Sequence, residues 1–448
     1  MLRSSGDRAP LTPARSQQLL KEDMVSEKQL PTSRLGRLSR LATVGARSGL
    51  SILARGSGDA AAEQALAVLG NLRGLAAKVG QMASYVDGLV PVAQREAYER
   101  VLTSLQASTP SSPFESVREL IEGELGAKLA DLFAEFDPTP FASASIGQVH
   151  RAKLPDGTEV AVKVQHSGIE AAFETDITSA GSMVNFVSVL APRGIGARAL
   201  HDEMAMRLRE ELDYRLEAER QATFASFHVG DPDIHVPKIS ARYSSQRVLT
   251  SELVHGHDFA WATQAPEPLR KHYAEVLWRF VFKAILVHGM FNADPHPGNY
   301  RFHEDGKVTF LDFGSVQVLA PHFLAASRDM HDAAIRGDQA AYKRAAAIAC
   351  QTKPGAYETE LLDYLWMCFL PLRESPFKLT REYATEVVTT TRNMKRHLLD
   401  KKANITPPPH GVMLMNRLQF GFYSVLARLD VTVDYAGIER ALMKAVGL

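Results

Sequence analysis

Apolar and polar positions change their period along this chain, and the changes mark its parts. From 60 to 130 the apolar residues recur at helical spacing. Residues 61–81 are rich in Ala and Leu, both good helix formers. Residues 114–125 predict a further helix, with Gly126 suited to end it. Pro110, Ser111, Ser112 and Pro113 mark a linker before it. Near Asp131 the period shortens. Residues 132–136 predict a strand, and 141–150 are a run of small residues between strands. Residues 151–154 and 159–165 flank the turn Pro155-Asp156-Gly157-Thr158 as a hairpin. Two long helices are predicted at 169–190 and 197–227, a strand at 247–253 and an apolar-rich helix at 269–288. Residues 254–258 suit a hinge between lobes. Residues 299–302 and 307–311 read as short strands around His303-Glu304-Asp305-Gly306, and 321–448 as helices broken at Pro354-Gly355, Pro371, Pro376 and Pro407 to Pro409.

Composition narrows the class. The chain has 448 residues, 45% apolar and 23% charged, an ordinary globular balance with material for more than one domain. Lys plus Arg and Asp plus Glu number 51 each, so the charge carries no overall nucleic-acid signature and no nucleic-acid partner is expected. Two cysteines, Cys350 and Cys368, make neither a disulfide framework nor a metal cluster and suit a reducing compartment. The longest charge-free stretch, 177–192, is too short to span a bilayer, and 411–429 is broken by Arg417 and Arg428. The N-terminus lacks the apolar core of a secretory signal. Residues 1–33 have a flexible composition, and Arg34 to Arg55 form a basic segment in which Leu35, Leu38, Leu41 and Val44 recur every three residues. That face could lie on an anionic membrane. Its narrowness and its glycines favour packing on its own domain. The expected location is the cytoplasm, with any membrane contact peripheral and on the inner face.

The densest chemistry lies in Phe291-Asn292-Ala293-Asp294-Pro295-His296-Pro297-Gly298-Asn299 and in Asp312-Phe313-Gly314. Phosphoryl transfer from a nucleotide needs a carboxylate for the acceptor hydroxyl, here Asp294. It also needs an amide oxygen and a second carboxylate for magnesium, here Asn299 and Asp312. Pro295 and Pro297 fix a non-helical loop that holds them. Two ordinary acidic surface turns are the plainer reading, but the order and spacing favour the kinase pattern. Val160-Ala161-Val162-Lys163 matches a strand that aims a lysine at phosphates, and Lys163 amid apolar neighbours requires a partner. Glu217 and Glu210 share a helix face and both qualify; spacing leaves the choice open. Small residues at 142–149 would let backbone N–H groups approach phosphates. Lys78 and Gln81, three apart on a helix, emerge on one face with Gly80 between them.

These segments together resemble the UbiB/AarF family of atypical protein-kinase-like proteins, linked to ubiquinone and other isoprenoid-lipid metabolism. The resemblance runs from about residue 60 to 320. Lys78-Val79-Gly80-Gln81 is similar to the family's Lys-x-Gly-Gln signature, and Ala142-Ser143-Ala144-Ser145-Ile146-Gly147-Gln148-Val149 to its alanine-rich loop. Glu211-Leu212-Asp213 resembles its Glu-x-Asp signature. The resemblance implies that Glu217 is the partner of Lys163. It also implies that Asp294 is the catalytic aspartate and that Asn299 and Asp312 are the metal ligands.

The implied architecture is α+β: a bilobal protein-kinase-like fold with a small β-rich N-lobe, a helical C-lobe and an N-terminal helical extension. The corresponding layout is a flexible basic segment at 1–59, the extension at 60–130, the N-lobe at 131–258 and the C-lobe at 259–448. The implied cofactors are ATP or ADP with Mg. The implied partners are a lipid or quinone-type small molecule, or lipid-biosynthesis enzymes. The extension would occupy the ground of a protein substrate, so ATPase-like activity is expected above protein phosphorylation in trans. On an ideal helix Glu211 and Asp213 stand about 200° apart, so they face one partner only if the helix is distorted. Ser143 departs from the alanine-rich pattern, and the hydrophobic C-terminal spans of many bacterial members are not seen here. Two other classes compete: a small-molecule kinase of the aminoglycoside or choline type, and a nucleotide-sensing scaffold without turnover.

Overall fold

Residues 112–143, 146–171, 174, 205–206, 209–399, 412–445 and 447 are described in the computed structural model of the chain, all within the unit Leu69–Leu448. The basic segment Arg34 to Arg55, the helix predicted at 61–81 with Lys78 and Gln81, and the loop residues Ala144 and Ser145 lie outside them.

Strand alternation builds the small lobe. After α1 (Phe114–Leu125) come β1 (Glu135–Phe136), β2 (Ala142–Ser143), β3 (Gly147–Lys153), β4 (Glu159–Gln165), α2 (Tyr214–Phe227), β5 (Ile234–His235) and β6 (Val248–Glu252). The antiparallel order is β1-β3-β4-β6, with β2 paired to β3. In β4, Val160, Val162 and Val164 are fully buried and pack under Val117, Leu120 and Ile121 of α1. Each buried valine contributes roughly 1.5–3 kcal/mol. The intervening Ala161 and Lys163 therefore face the opposite side, toward α2. Helix α1, which the apolar period assigns to the extension, closes the core of this sheet.

Two expectations change. Residues 132–136 do not form one strand: Leu132 ends a helical turn, Leu129–Leu132, and only Glu135–Phe136 is extended. Leu132 and Phe133 are both buried, and an alternating strand cannot turn neighbours to one core. The helix predicted at 197–227 is interrupted. Asp213 leaves helical geometry, with its side chain accepting from Arg215 N, and α2 starts afresh at Tyr214. Glu211 and Asp213 are thus not on one ideal helix.

The helical lobe is organised by α3 (Glu267–Leu286), with Tyr273, Val276, Leu277 and Trp278 essentially inaccessible. It leads into β7 (Met290–Asn292), β8 (Tyr300–Phe302), β9 (Val308–Phe310) and β10 (Val316–Val318). β7 pairs with β10, while β8 and β9 form the predicted hairpin with β5 added in parallel. Then follow α4 (Pro321–Ile335), α5 (Gln339–Cys350), α6 (Ala356–Cys368), β11 (Phe377–Lys378), α7 (Arg381–Leu399), α8 (Val412–Leu429), β12 (Thr432–Val433) and α9 (Tyr435–Ala445). The lobes meet where His257 and Phe302 exchange backbone hydrogen bonds of 2.9 Å each, within the predicted hinge. Among the described residues no helix is long and apolar enough to cross a membrane.

Candidate active site

The register of β3 and β4 sets Val149 opposite Lys163 on the sheet face that meets α2. There Lys163 Nζ donates to Glu217 Oε1 at 2.8 Å and Oε2 at 2.9 Å, and lies 4.8 Å from the centroid of the Tyr214 ring. Burial alone would push the lysine's pKa down. The Glu217 carboxylate, and then Asp312, outweigh it and hold the pKa above its ordinary value. Burial pushes the Glu217 carboxyl up, with Lys163 opposing and Asp312 reinforcing. Asp312 thus sits close enough to act on both partners. A Cβ built on Gly314 would lie 3.3 Å from Asp312 Oδ1 and 3.8 Å from Glu217 Oε2, which brings the strand lysine's partner to the Asp-Phe-Gly turn. Glu210 is occupied elsewhere, in a 2.8 Å bridge to Arg220.

The two loops are fixed to each other. Ala293 N donates to Ser315 O at 3.0 Å and Leu311 N to Asn299 O at 2.9 Å. The Asn299 amide nitrogen donates to Asp294 Oδ2 at 3.2 Å, which turns its oxygen away as the acceptor that remains. Asp312 Oδ1 accepts from Gly314 N at 3.0 Å, orienting that carboxylate. Asp294, Asn299 and Asp312 line one cleft, together with Asn292 and aromatic side chains such as Phe224 and Phe280. Lys163 is not on the wall of this cleft and joins the group through Asp312. The set carries one positive and three negative groups, an excess that suits a divalent cation. Its donors are hard oxygens, the kind magnesium takes. Among the described residues no three His, Cys, Asp or Glu side chains cluster for a metal, so phosphate oxygens would have to complete its shell.

The small-residue loop is shorter than its sequence suggests. Ala142 pairs with Val149 and Ser143 with Gln148, so 142–143 and 147–149 are paired strands. Ile146 is buried, and a Cβ on Gly147 would fall on the Val164 carbonyl and 2.9 Å from the Tyr214 hydroxyl. Gln148 and His150 lie on the face away from Lys163. The Gln148 amide accepts from Ser112 N at 2.6 Å and meets His150 Nε2 at 2.9 Å, while His150 Nδ1 bonds Asp137 O at 2.8 Å. In this structure Gln148 ties the incoming linker to the sheet.

Three positioning residues escaped the motif reading. Asn292 Oδ1 accepts from Asp294 N at 3.1 Å and its Nδ2 donates to Asp312 O at 2.6 Å, so one amide spans both loops. Arg220, three residues after Glu217, donates to Gly314 O at 2.9 Å; its i, i+3 spacing from Glu217 was the available signal. Gly421 of α8 is the third: a Cβ there would lie 2.5 Å from Pro295 Cγ, beside Asp294.

The model of the ABC1 atypical kinase-like domain matches residues 104–346, more than half of the chain. An uncharacterized Synechocystis protein, sll0005, is 38% identical over 262 residues, 57% of this chain but 37% of that protein. The chain thus spans little more than a third of that relative's length. The Saccharomyces cerevisiae protein "Atypical kinase COQ8, mitochondrial" is 26% identical over 437 residues, covering 93% of this chain and 86% of its own. A solved Mycobacterium tuberculosis structure, the Rv3197–erythromycin complex, superposes with a TM-score of 0.60 at 29% identity, covering 86% of this chain and 96% of that one.

Proposed function

The chain belongs to the ABC1 atypical kinase-like family, and on that premise we propose that it is an ATP- and magnesium-dependent atypical kinase or ATPase working in ubiquinone or other isoprenoid-lipid metabolism. One observation carries the reading: a part-buried Lys163–Glu217 pair lies beside Asp312, which shares a cleft with Asp294 and Asn299.

In this proposal Lys163, held by Glu217, binds the nucleotide's phosphates, and Asp294 orients or deprotonates the acceptor hydroxyl or water. Asn299, through its amide oxygen, and Asp312 would hold the metal. Bound magnesium would supply neutralisation of charge on the phosphates. The hairpin of Ala142, Ser143, Ala144, Ser145, Ile146, Gly147 and Val149 covers the nucleotide through backbone groups, and Gln148 supports it from behind. Lys78 and Gln81 gate access, which disfavours protein phosphorylation in trans. The layout is a basic segment at 1–59, an extension at 60–130 and lobes at 131–258 and 259–448. Contact with a membrane or with a lipid-biosynthesis partner is peripheral and cytoplasmic.

The test is magnesium-dependent phosphate release from ATP. Asp294→Asn lowers turnover at least 100-fold, within the range for a lost acid–base group, while ATP still binds. Unchanged turnover would reject Asp294 as the reactive carboxylate.

A further inference from the structure

The helical lobe holds a second, partly open cavity, larger than the first and lined mainly by aromatic and aliphatic side chains from α3, α4, α5, α6 and α8. Among the described residues, only Val281 and Leu418 line both spaces. The second leaves about 90 Å³ of space for water-sized groups, against about 20 Å³ in the first, enough for several waters. A core of this composition would ordinarily be filled to close packing.

One wall is polar, and it is built. Glu439, fully buried on α9, accepts from the Trp278 indole N–H at 3.0 Å and from His331 Nδ1 at 2.6 Å. A carboxylate so far from water needs such donors. Trp278 and His331 both line the cavity. With Nδ1 committed, Nε2 is the ring nitrogen His331 can turn to a ligand, and in the neutral ring, with Nδ1–H donating to Glu439, it is an acceptor. Ser327, four residues earlier on α4, also lines the cavity and sets a hydroxyl on the same wall. Cys350 lines it too, but burial pushes its thiol up to about 11, so no thiolate is offered there.

We infer that this cavity binds an apolar alcohol, its hydroxyl donating to His331 Nε2 and accepting from Ser327 while its hydrocarbon body fills the aromatic space. A ketone would leave the imidazole acceptor unmet, an alkane would leave both groups unmet, and a carboxylate would meet the negative field of Glu439. The site lies outside the nucleotide cleft, and its test contains no nucleotide, so its failure and that of the kinase reading are separable.

The test uses the full chain and the heavy-atom quenching of tryptophan fluorescence by 10-bromodecan-1-ol, since Trp278 lines the cavity. The expected result is saturable one-site quenching. It should be at least fivefold weaker with 1-bromodecane or in Ser327→Ala, and lost in Ser327→Leu, which fills the space; Ala349→Leu serves if Ser327→Leu does not fold. Absence of saturable quenching, as when another part of the chain already fills the cavity, overturns the inference. So does equal affinity for the alcohol and the bromoalkane, or quenching unaltered in the filled variant.

Discussion

Lys163 Nζ stands 2.8 and 2.9 Å from the two carboxylate oxygens of Glu217, which is buried between the sheet and α2 while the lysine is half-buried. A buried pair is worth little over an apolar replacement, yet breaking it from one side leaves an uncompensated charge. Glu217→Gln should therefore lower the unfolding free energy in urea by about 3 kcal/mol and weaken nucleotide binding as well. The double variant Lys163→Met with Glu217→Leu should recover most of the stability and none of the binding. Wild-type affinity for MgATP in the double variant would show that the pair is structural only.

The amide of Asn292 spans Asp294 and Asp312 without belonging to either motif. Asn292→Ala removes two hydrogen bonds that fix the loops, each worth about 1 kcal/mol. Turnover should fall roughly tenfold, a change of about 1.4 kcal/mol, with little change in KM for ATP. A change in KM alone would assign Asn292 to nucleotide binding instead.

The local patterns made much of this legible. Alternation in Val160-Ala161-Val162-Lys163 put the lysine on one sheet face, and the paired runs around residues 303–306 located the hairpin beside the loops. The rest needed tertiary contacts. Glu210 and Glu217 were equivalent by helical phase, and in the structure the helix break at Asp213, the Lys163–Glu217 hydrogen bonds and the Glu210–Arg220 bridge separate them. Gln148 lay within a motif but faces the back of the sheet, because β3 begins at Gly147 and alternation then sets its direction. Gly421 lies far along the chain from Pro295, so no spacing rule connects them.

At Gly421 two effects oppose each other. Alanine is the better helix former by about 1 kcal/mol. Its methyl, however, would press on Pro295 at 2.5 Å, and overpacking costs about 1–3 kcal/mol. The contact should win. Gly421→Ala should lower ATP turnover at least threefold by displacing the Asp294 loop and should not raise the melting temperature. A more stable variant with full turnover would show that the loop yields freely.

His228 caps α2 with neither ring nitrogen hydrogen-bonded among the described residues, and it stacks on Phe280 at 5.0 Å. Burial, aided by Lys283, pushes its pKa down to about 3. The unfolded histidine, near 6.5, binds the proton more readily. The stability associated with the neutral ring is therefore complete above pH 6.5 and is lost as pH falls from there toward 3. Within that window the contribution approaches about 1.4 kcal/mol per pH unit. His228→Phe should flatten the acid limb of unfolding free energy against pH, and an unaltered limb would locate the acid sensitivity elsewhere.

The most direct test of the central claim, that Lys163 and the Asp294–Asn299–Asp312 group act on one magnesium-bound nucleotide, is a calorimetric titration of ATP with and without magnesium into wild type, Lys163→Met and Asp312→Asn. The account predicts tight binding by wild type only with magnesium, loss of that magnesium dependence in Asp312→Asn, and affinity at least tenfold weaker in Lys163→Met. Magnesium-dependent binding of wild-type strength in both variants, with their folds intact, would contradict it.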